Sequence, residues 1–466
     1  MTVRSRYAHR WLLATALTLT LTAGVAGGSG AARAQSLEQA LAQAYANNPT
    51  IGAQRARLRA VDESVPQALS GYRPTARVTA GVTRSMGESK FDGGSAGSEA
   101  NAKSVGITAT QPIYDATVAP AVRRAERLVE AQRATLIASE QSVLLGAAQA
   151  YLDIVQNQAI LQLQTNNEQV LRRQLEAARD RFRVGEYTRT DVSQSESRLS
   201  AALASRISAE GTLRASRATY ERLVGAAPGE LKAPKPAFRL PKNLDELVEL
   251  ARSNNPNVLS ASYTEAAQRE AVDQQYGRLL PSVGVSASGT RTFDPGRSSG
   301  VELNRSDSAQ ITAQVTIPLY QAGLPEAQVR EAKQTANQAR LQIEETRRQA
   351  TEAAVSAWQS LQTARASIES YKAQIQAAQI ALEGVRQEAQ VGSRTVLDVL
   401  NQEQELLNAR VFLVRAQHDE MVAAFNVLSA SGQLTADRLN LPVQKYDPQA
   451  NYEKTRGKWF GTSVTE

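Results

Sequence analysis

Apolar positions along this chain follow two periods, and they change from one to the other in the same order twice. Val78, Ala80 and Val82 alternate with Thr79, Gly81 and Thr83, and Val105, Ile107 and Ala109 alternate with Gly106, Thr108 and Thr110. Further on, Val283, Val285 and Ala287 alternate with Gly284, Ser286 and Ser288. Ile311, Ala313, Val315 and Ile317 alternate with Thr312, Gln314 and Thr316. A period of two puts one kind of side chain on each face of a strand. The pattern predicts four short strands of about 9–11 residues, each with an apolar face and a small polar face, paired around a Gly/Ser/Asp-rich loop.

After each strand pair the period lengthens. Leu400, Leu407, Val414, Met421 and Leu428 recur every seven residues, and Ile368, Tyr371, Ile375, Ala378, Leu382, Val385 and Ala389 step by three and four. That is the spacing of helices packed along a seam. None of the 16 prolines falls between Ala121 and Ala227 or between Glu326 and Leu441. Proline costs a helix interior about 3 kcal/mol, whereas the Ala, Gln, Glu, Arg and Leu that fill these gaps form helices readily. Each gap predicts a helix of roughly 65 residues, a Val-Gly turn and a second helix of roughly 35. Sixty-five residues span about 100 Å, more than a compact core requires, so the helices should project as a rod or tube.

The two halves are copies at a spacing of 207 residues. Ser36-Leu37-Glu38 through Asn47-Asn48-Pro49 matches Asn243-Leu244-Asp245 through Asn254-Asn255-Pro256, and Pro74 matches Pro281. Pro112-Ile113-Tyr114 corresponds to Pro318-Leu319-Tyr320, one residue out of step. Val184-Gly185 then matches Val391-Gly392, Asp191-Val192 matches Asp398-Val399, and Gly225 matches Gly432. Each copy should open with a helical stretch (37–69 and 244–279) in which Asn caps and Pro occupies the first turn. The organisation expected is a leader at 1–34, a first repeat at 35–225, a proline-rich linker at 226–242, a second repeat at 243–441 and a polar tail or surface wrap at 442–466.

Arg4, Arg6 and Arg10 precede the apolar run Trp11–Leu21, and Ala32-Arg33-Ala34 offers a cleavage site, the form of a secretory signal peptide. The leader also holds four of the 53 basic residues and none of the 46 acidic ones, so the net charge of +7 falls to +3 beyond it. That excess makes no case for a nucleic-acid partner. With no cysteine and only His9 and His418, thiol chemistry, cysteine-ligated zinc and histidine-based sites are close to excluded. His418 has no metal partner at helical spacing and reads as a surface residue. Gly93-Gly94-Ser95-Ala96-Gly97 fits a nucleophile pattern but lies between strands, not at a strand-to-helix elbow. No catalytic residue, metal or cofactor is expected.

No apolar run is long enough for a membrane helix, so an exported chain of this kind spans a membrane only with strands. Taken alone, alternation more often marks an ordinary half-exposed soluble sheet. Four strands cannot close a barrel, and an open edge in lipid leaves backbone groups unsatisfied. The chain must therefore oligomerise, giving eight strands as a dimer or twelve as a trimer, and this arithmetic does not choose between them.

These features resemble the TolC-type outer-membrane efflux and type I secretion channels over essentially the whole length from Ser36 to about Leu439. The duplicated Asn-Asn-Pro helices, the Pro-led strands and Pro-Leu-Tyr-Gln-Ala-Gly (318–323) carry the likeness. Most specific is Val391-Gly392-Ser393-Arg394-Thr395-Val396-Leu397-Asp398-Val399-Leu400, with its echo from Val184 to Val192. The resemblance implies an α+β membrane protein: a homotrimer whose twelve-stranded transmembrane β-barrel, four strands per chain, continues into a periplasmic α-barrel of long helical hairpins. It implies location in the outer membrane, contact with its lipid, and a periplasmic adaptor and an inner-membrane transporter as partners. Gly185 and Gly392 would form the tip turns, and Tyr114 and Tyr320 would lie in an aromatic interface belt. Asp398 matches an acidic position lining the constriction, whereas Asn401 stands where a second acidic ring would be. Arg394 and Asp191 match residues that link neighbouring helices in the closed state. Ala389 replaces a tyrosine of that link, which implies a weaker latch or one wired through Tyr187. The function expected is passive export gated at the periplasmic tip; the alternative is a periplasmic coiled-coil scaffold or adaptor without a pore.

Overall fold

The computed structural model describes residues 35–234, 239–298 and 301–464; the expected leader lies outside them. The first copy contains α1 (Leu37–Asn47), α2 (Pro49–Asp62), α3 (Ser64–Leu69), β1 (Thr75–Phe91), β2 (Gly94–Tyr114), α4 (Val118–Arg183) and α5 (Arg189–Val224). The second contains α6 (Leu244–Asn254), α7 (Pro256–Gly277), β3 (Ser282–Ser298), β4 (Val301–Thr316), α8 (Leu324–Gln390) and α9 (Val396–Ala430); α10 (Ala450–Arg456) follows. The expected opening helices are thus divided by their own Asn-Asn-Pro. Pro49 and Pro256 start new helices, where a missing amide hydrogen costs nothing, and Asn48 and Asn255 cap them by accepting from the amides of Thr50 and Asn257. The long helices reach 66 and 67 residues and their shorter partners 36 and 35.

The strands form one antiparallel sheet in the order β1-β2-β3-β4, so the two copies join through β2 and β3. They are longer than expected, 16 to 21 residues. The expected loop of the first hairpin is only the turn at Asp92-Gly93, because pairing continues unbroken to Phe91 and Gly94. The pattern of alternation missed this length because the apolar face ends before the strand does. Val78, Ile107, Gly289 and Ala309 lie in one cross-strand row, Ala76, Ala109, Ala287 and Ile311 in the next. Rows further from the helices carry Lys103, Arg291, Asp307 and Arg305 on that same face, with Arg291 paired to Asp307 at 2.7 Å. Val78, Val82, Ile107, Ile311 and Val315 are exposed, as an apolar outer face requires. Among the described residues β1 and β4 each leave one edge unpaired.

Below the sheet the helices form a curved wall one layer thick. On the sheet side α2, α4, α7 and α8 follow one another; at the far end the order is α5, α4, α9, α8. The continuous helices α4 and α8 therefore alternate with two composite ones, α2 above α5 and α7 above α9. At the second junction the backbones nearly touch: a Cβ on Gly432 would sit 2.4 Å from the Asn254 carbonyl oxygen. The heptad seam is real in part, since Leu400, Leu407, Leu428, Ile368 and Leu382 are buried.

The main core lies midway along this wall. Helix α1, the end of α5 and the segment 434–441 pack against α4 and α9 through Leu41, Tyr45, Leu144, Tyr151, Tyr220, Leu434 and Leu441. The fully buried Tyr151 hydroxyl lies 2.9 and 2.8 Å from the carbonyls of Gln35 and Lys232, tying the start of the first copy to the inter-repeat segment. Burial pushes the Tyr220 hydroxyl up to about 12. His418 is not the surface residue expected. Because α9 packs directly on α4, its ring is enclosed between Asp153 of α4 at 2.8 Å and Asp419 at 3.0 Å.

Candidate channel gate

The far end of the wall is two helical hairpins whose turns have the same construction. Helix α4 ends with the Gly185 amide on the Phe182 carbonyl at 3.1 Å and the Glu186 amide on Arg181 at 2.9 Å. Helix α8 ends with Gly392 on Ala389 at 3.2 Å and Ser393 on Glu388 at 3.0 Å. Both are Schellman closures, which need a left-handed residue, and Gly185 and Gly392 both have φ of +82°. Thr188 and Thr395 then cap the returning helices. The amide of Asp191 donates to Thr188 Oγ1, and Asp191 Oδ2 accepts from the Thr188 amide at 2.9 Å. Asp398 repeats this with Thr395 at 3.0 Å. Val-Gly-x-x-Thr-x-x-Asp is therefore a helix stop and a capping box back to back.

This gives Asp191 and Asp398 a local structural duty that the sequence analysis overlooked. The signal was available: Thr three residues before an acidic residue at a helix start. The hydrogen bonds from the Thr395 amide and hydroxyl, followed by the Arg394 charge, hold the Asp398 carboxyl below the usual carboxylate range. It carries charge at neutral pH, half-buried on the first turn of α9.

The other expected gate residues meet different partners within the chain. Arg394 Nε donates to Glu388 Oε2 at 2.8 Å, so it folds back on the end of α8 and is not paired with Asp191. The Tyr187 hydroxyl accepts from Arg181 at 2.8 Å, and that guanidinium also lies over the Tyr187 ring at 5.2 Å. Asn401 Oδ1 accepts from Arg198 at 2.7 Å, connecting α9 of the second copy to α5 of the first. Tyr114 and Tyr320 are exposed where the sheet meets the helices.

One group near the tip was not anticipated. Glu403, buried on α9, accepts from Arg386 of α8 at 2.9 Å and from Gln174 of α4 at 2.8 Å. A single carboxylate thus fastens three helices about one and a half turns behind Asp398. Its Oε2 has no hydrogen-bond partner among the described residues. Sequence alone gave no sign of it, because a Glu among Gln and Glu on a long helix looks like any solvated position. Among the described residues no cluster of His, Asp and Glu is arranged to hold a metal ion.

The outer membrane efflux protein model matches residues 40–226 and again 247–433. The outer membrane efflux protein BepC of Brucella suis biovar 1 is 36% identical over 432 residues, covering 92% of each chain. Outer membrane protein TolC of Escherichia coli K12 is 26% identical, covering 91% of this chain and 87% of its own. Among solved structures, the Campylobacter jejuni CmeC outer membrane channel superposes with a TM-score of 0.75 at 16% identity, over 90% of this chain and 89% of that one. The Vibrio cholerae outer membrane protein VceC superposes at 0.73 with 20% identity, over 85% and 96%. With both halves of the chain matched in turn, the duplicated helix–sheet–hairpin chain belongs to the outer membrane efflux protein family.

Proposed function

We propose that three copies of this chain close their sheets into one twelve-stranded barrel in the outer membrane. Their helical walls continue it through the periplasm as a duct for substrates delivered by an inner-membrane transporter and a periplasmic adaptor. The observation that carries this reading is the sheet itself. It combines an exposed apolar face with two unpaired edges, and in lipid an unpaired strand edge costs several kcal/mol for each orphaned group. Pairing β4 of one copy with β1 of the next removes every edge, and the same step places α8 beside the α2–α5 flank of the neighbour. Sequence relatives named for efflux and for secretion support the transport role. Nothing among the matches favours the soluble scaffold.

In this arrangement the hairpin turns form the narrow end. Asp398 from each copy approaches the axis there, where like charges raise one another's pKa and attract cations. Arg394 and Asp191 do not pair within the chain; in this reading their link forms between copies, when Arg394 exchanges Glu388 for Asp191 of the neighbour. Adaptor contact at the tip would shift the balance between these pairings. Planar-bilayer recording tests the core of the reading: purified protein should form discrete, small, cation-preferring channels. Quantitative recovery of the native chain from a detergent-free periplasmic extract would overturn it.

A further inference from the structure

The chain does not finish at the main core. From there residues 446–460 rise along α2 and α4 toward the sheet, fastened at successive levels. The Tyr446 amide donates to the Tyr45 hydroxyl at 3.2 Å, and Asn451 donates to Asp62 at 2.7 Å. Tyr446 and Tyr452 pack on Leu58, Val65, Ala125 and Val129. Arg456 pairs with Glu126 at 3.1 Å, two turns from the start of α4. The last tie is to Arg73, two residues before β1: its guanidinium donates to the Lys458 carbonyl at 2.9 Å and lies over the Trp459 ring at 4.8 Å.

The climb thus delivers an aromatic pair to the level where strands become helices. Trp459 is 57% exposed and Phe460 86%, although both are costly to leave in water; the Arg73 guanidinium over one face of the indole leaves most of this surface open among the described residues. The Arg73 that holds them follows exposed Tyr72 and lies three and five residues before Ala76 and Val78, where the apolar outer face of β1 begins. Lys458 and Arg73 supply positive charge next to the rings. Trp with flanking cations is the composition that settles at a bilayer surface, the rings among glycerol backbones and the cations on phosphates.

We infer that Lys458-Trp459-Phe460 is a membrane-interface foot that binds the periplasmic phospholipid leaflet, held in place by Arg73. Each copy then grips the membrane both through its strands and through the end of its chain. The inference rests on the reading that the sheet spans the membrane, and the test separates the two.

The protein is reconstituted in phosphatidylcholine–phosphatidylglycerol vesicles with and without acyl chains brominated near the glycerol backbone. The emission of Trp459 is isolated as the difference between the unmodified protein and the exposed-site variant Trp459→Phe. Brominated lipid should reduce that difference about twofold or more, with little effect of aqueous acrylamide. Quenching by acrylamide without effect of bromine would overturn the inference, placing the ring in water. Insensitivity to both would also overturn it, the ring then being covered by a neighbouring copy. Ile107→Trp in the Trp459→Phe background serves as the reference for the sheet. If Ile107→Trp is quenched by bromine and Trp459 is not, the foot is refuted while the membrane sheet stands; if neither is quenched, the membrane reading itself fails.

Discussion

The side chain of Asn48 reaches the last turn of a helix 175 residues away, its Nδ2 donating to the Leu223 carbonyl at 2.8 Å. Its Oδ1 meanwhile accepts from the Thr50 amide at 2.9 Å. One buried amide therefore caps the C-terminus of α5 and the N-terminus of α2, joining them end to end. A carboxamide suits this position because it carries a donor and an acceptor on one short stem. Asn255 makes the equivalent join to Ala430, with a longer donor distance of 3.4 Å.

Asn48→Ala should remove the cap and strand a buried carbonyl together, costing about 2–4 kcal/mol. Asn48→Asp keeps the acceptor but replaces the donor by a charge facing a helix C-terminus, and should be at least as damaging. Asn255→Ala should cost less than Asn48→Ala. Thermal unfolding of the three variants in one detergent checks the order.

Asp398→Asn removes a charge while keeping an oxygen that can accept from the Thr395 amide. It should lower the preference for cations about twofold or more without loosening the start of α9. Asp398→Ala should do both, and a larger rise in tip proteolysis should distinguish it. Reversal potentials in a salt gradient, with limited proteolysis alongside, provide the measurements. The folded carboxyl is depressed, so its contribution is present at neutral pH and disappears as pH falls through its native value.

His418 predicts the opposite dependence. Burial disfavours the imidazolium most strongly, but hydrogen bonds and charge from Asp153 and Asp419 together outweigh it and raise the pKa above 6.5. The α4–α9 contact is therefore fully stabilised below about 6.5 and loses that stabilisation as pH rises through the raised native value. His418→Gln should flatten this part of the profile, which melting temperatures on either side of neutrality will show.

Glu403→Ala leaves Arg386 and Gln174 without their acceptor and opens a gap between α8, α9 and α4. A loss of about 1–3 kcal/mol in local stability is expected, seen as faster amide exchange in the lower halves of α8 and α9. Single-channel conductance should rise, because a less firmly fastened hairpin opens more readily. Glu403→Gln retains an acceptor and should fall between the two.

Sequence periodicity exposed the elements that repeat one simple rule over many residues. The two long helices came within two residues of the expected 65 because nothing in those stretches can stop a helix. Features set by a single contact were hidden. The strands ran past their apolar faces, since backbone pairing continues whichever side chains it carries. His418 looked exposed because periodicity along α9 says nothing about α4 packed against it. Of the candidate gate, the glycines of the turns were legible from their required conformation. The partners of Arg394, Tyr187 and Glu403 depend on which helices lie side by side, and that follows only from the assembled wall.

The joints between α5 and α2 and between α9 and α7 make the wall mechanically uneven. Two of its four struts in each copy are continuous and two are articulated. A continuous helix carries bending and twist from one end to the other, whereas two helices held by one amide resist compression but pivot with little torque. Motion of the hairpin tips can therefore be absorbed at mid-height by the articulated struts, leaving the sheet undisturbed. At the α7–α9 joint the pivot runs through Gly432, which lies against the Asn254 carbonyl, so the play of the hairpin bearing Asp398 and Arg394 is set at that glycine.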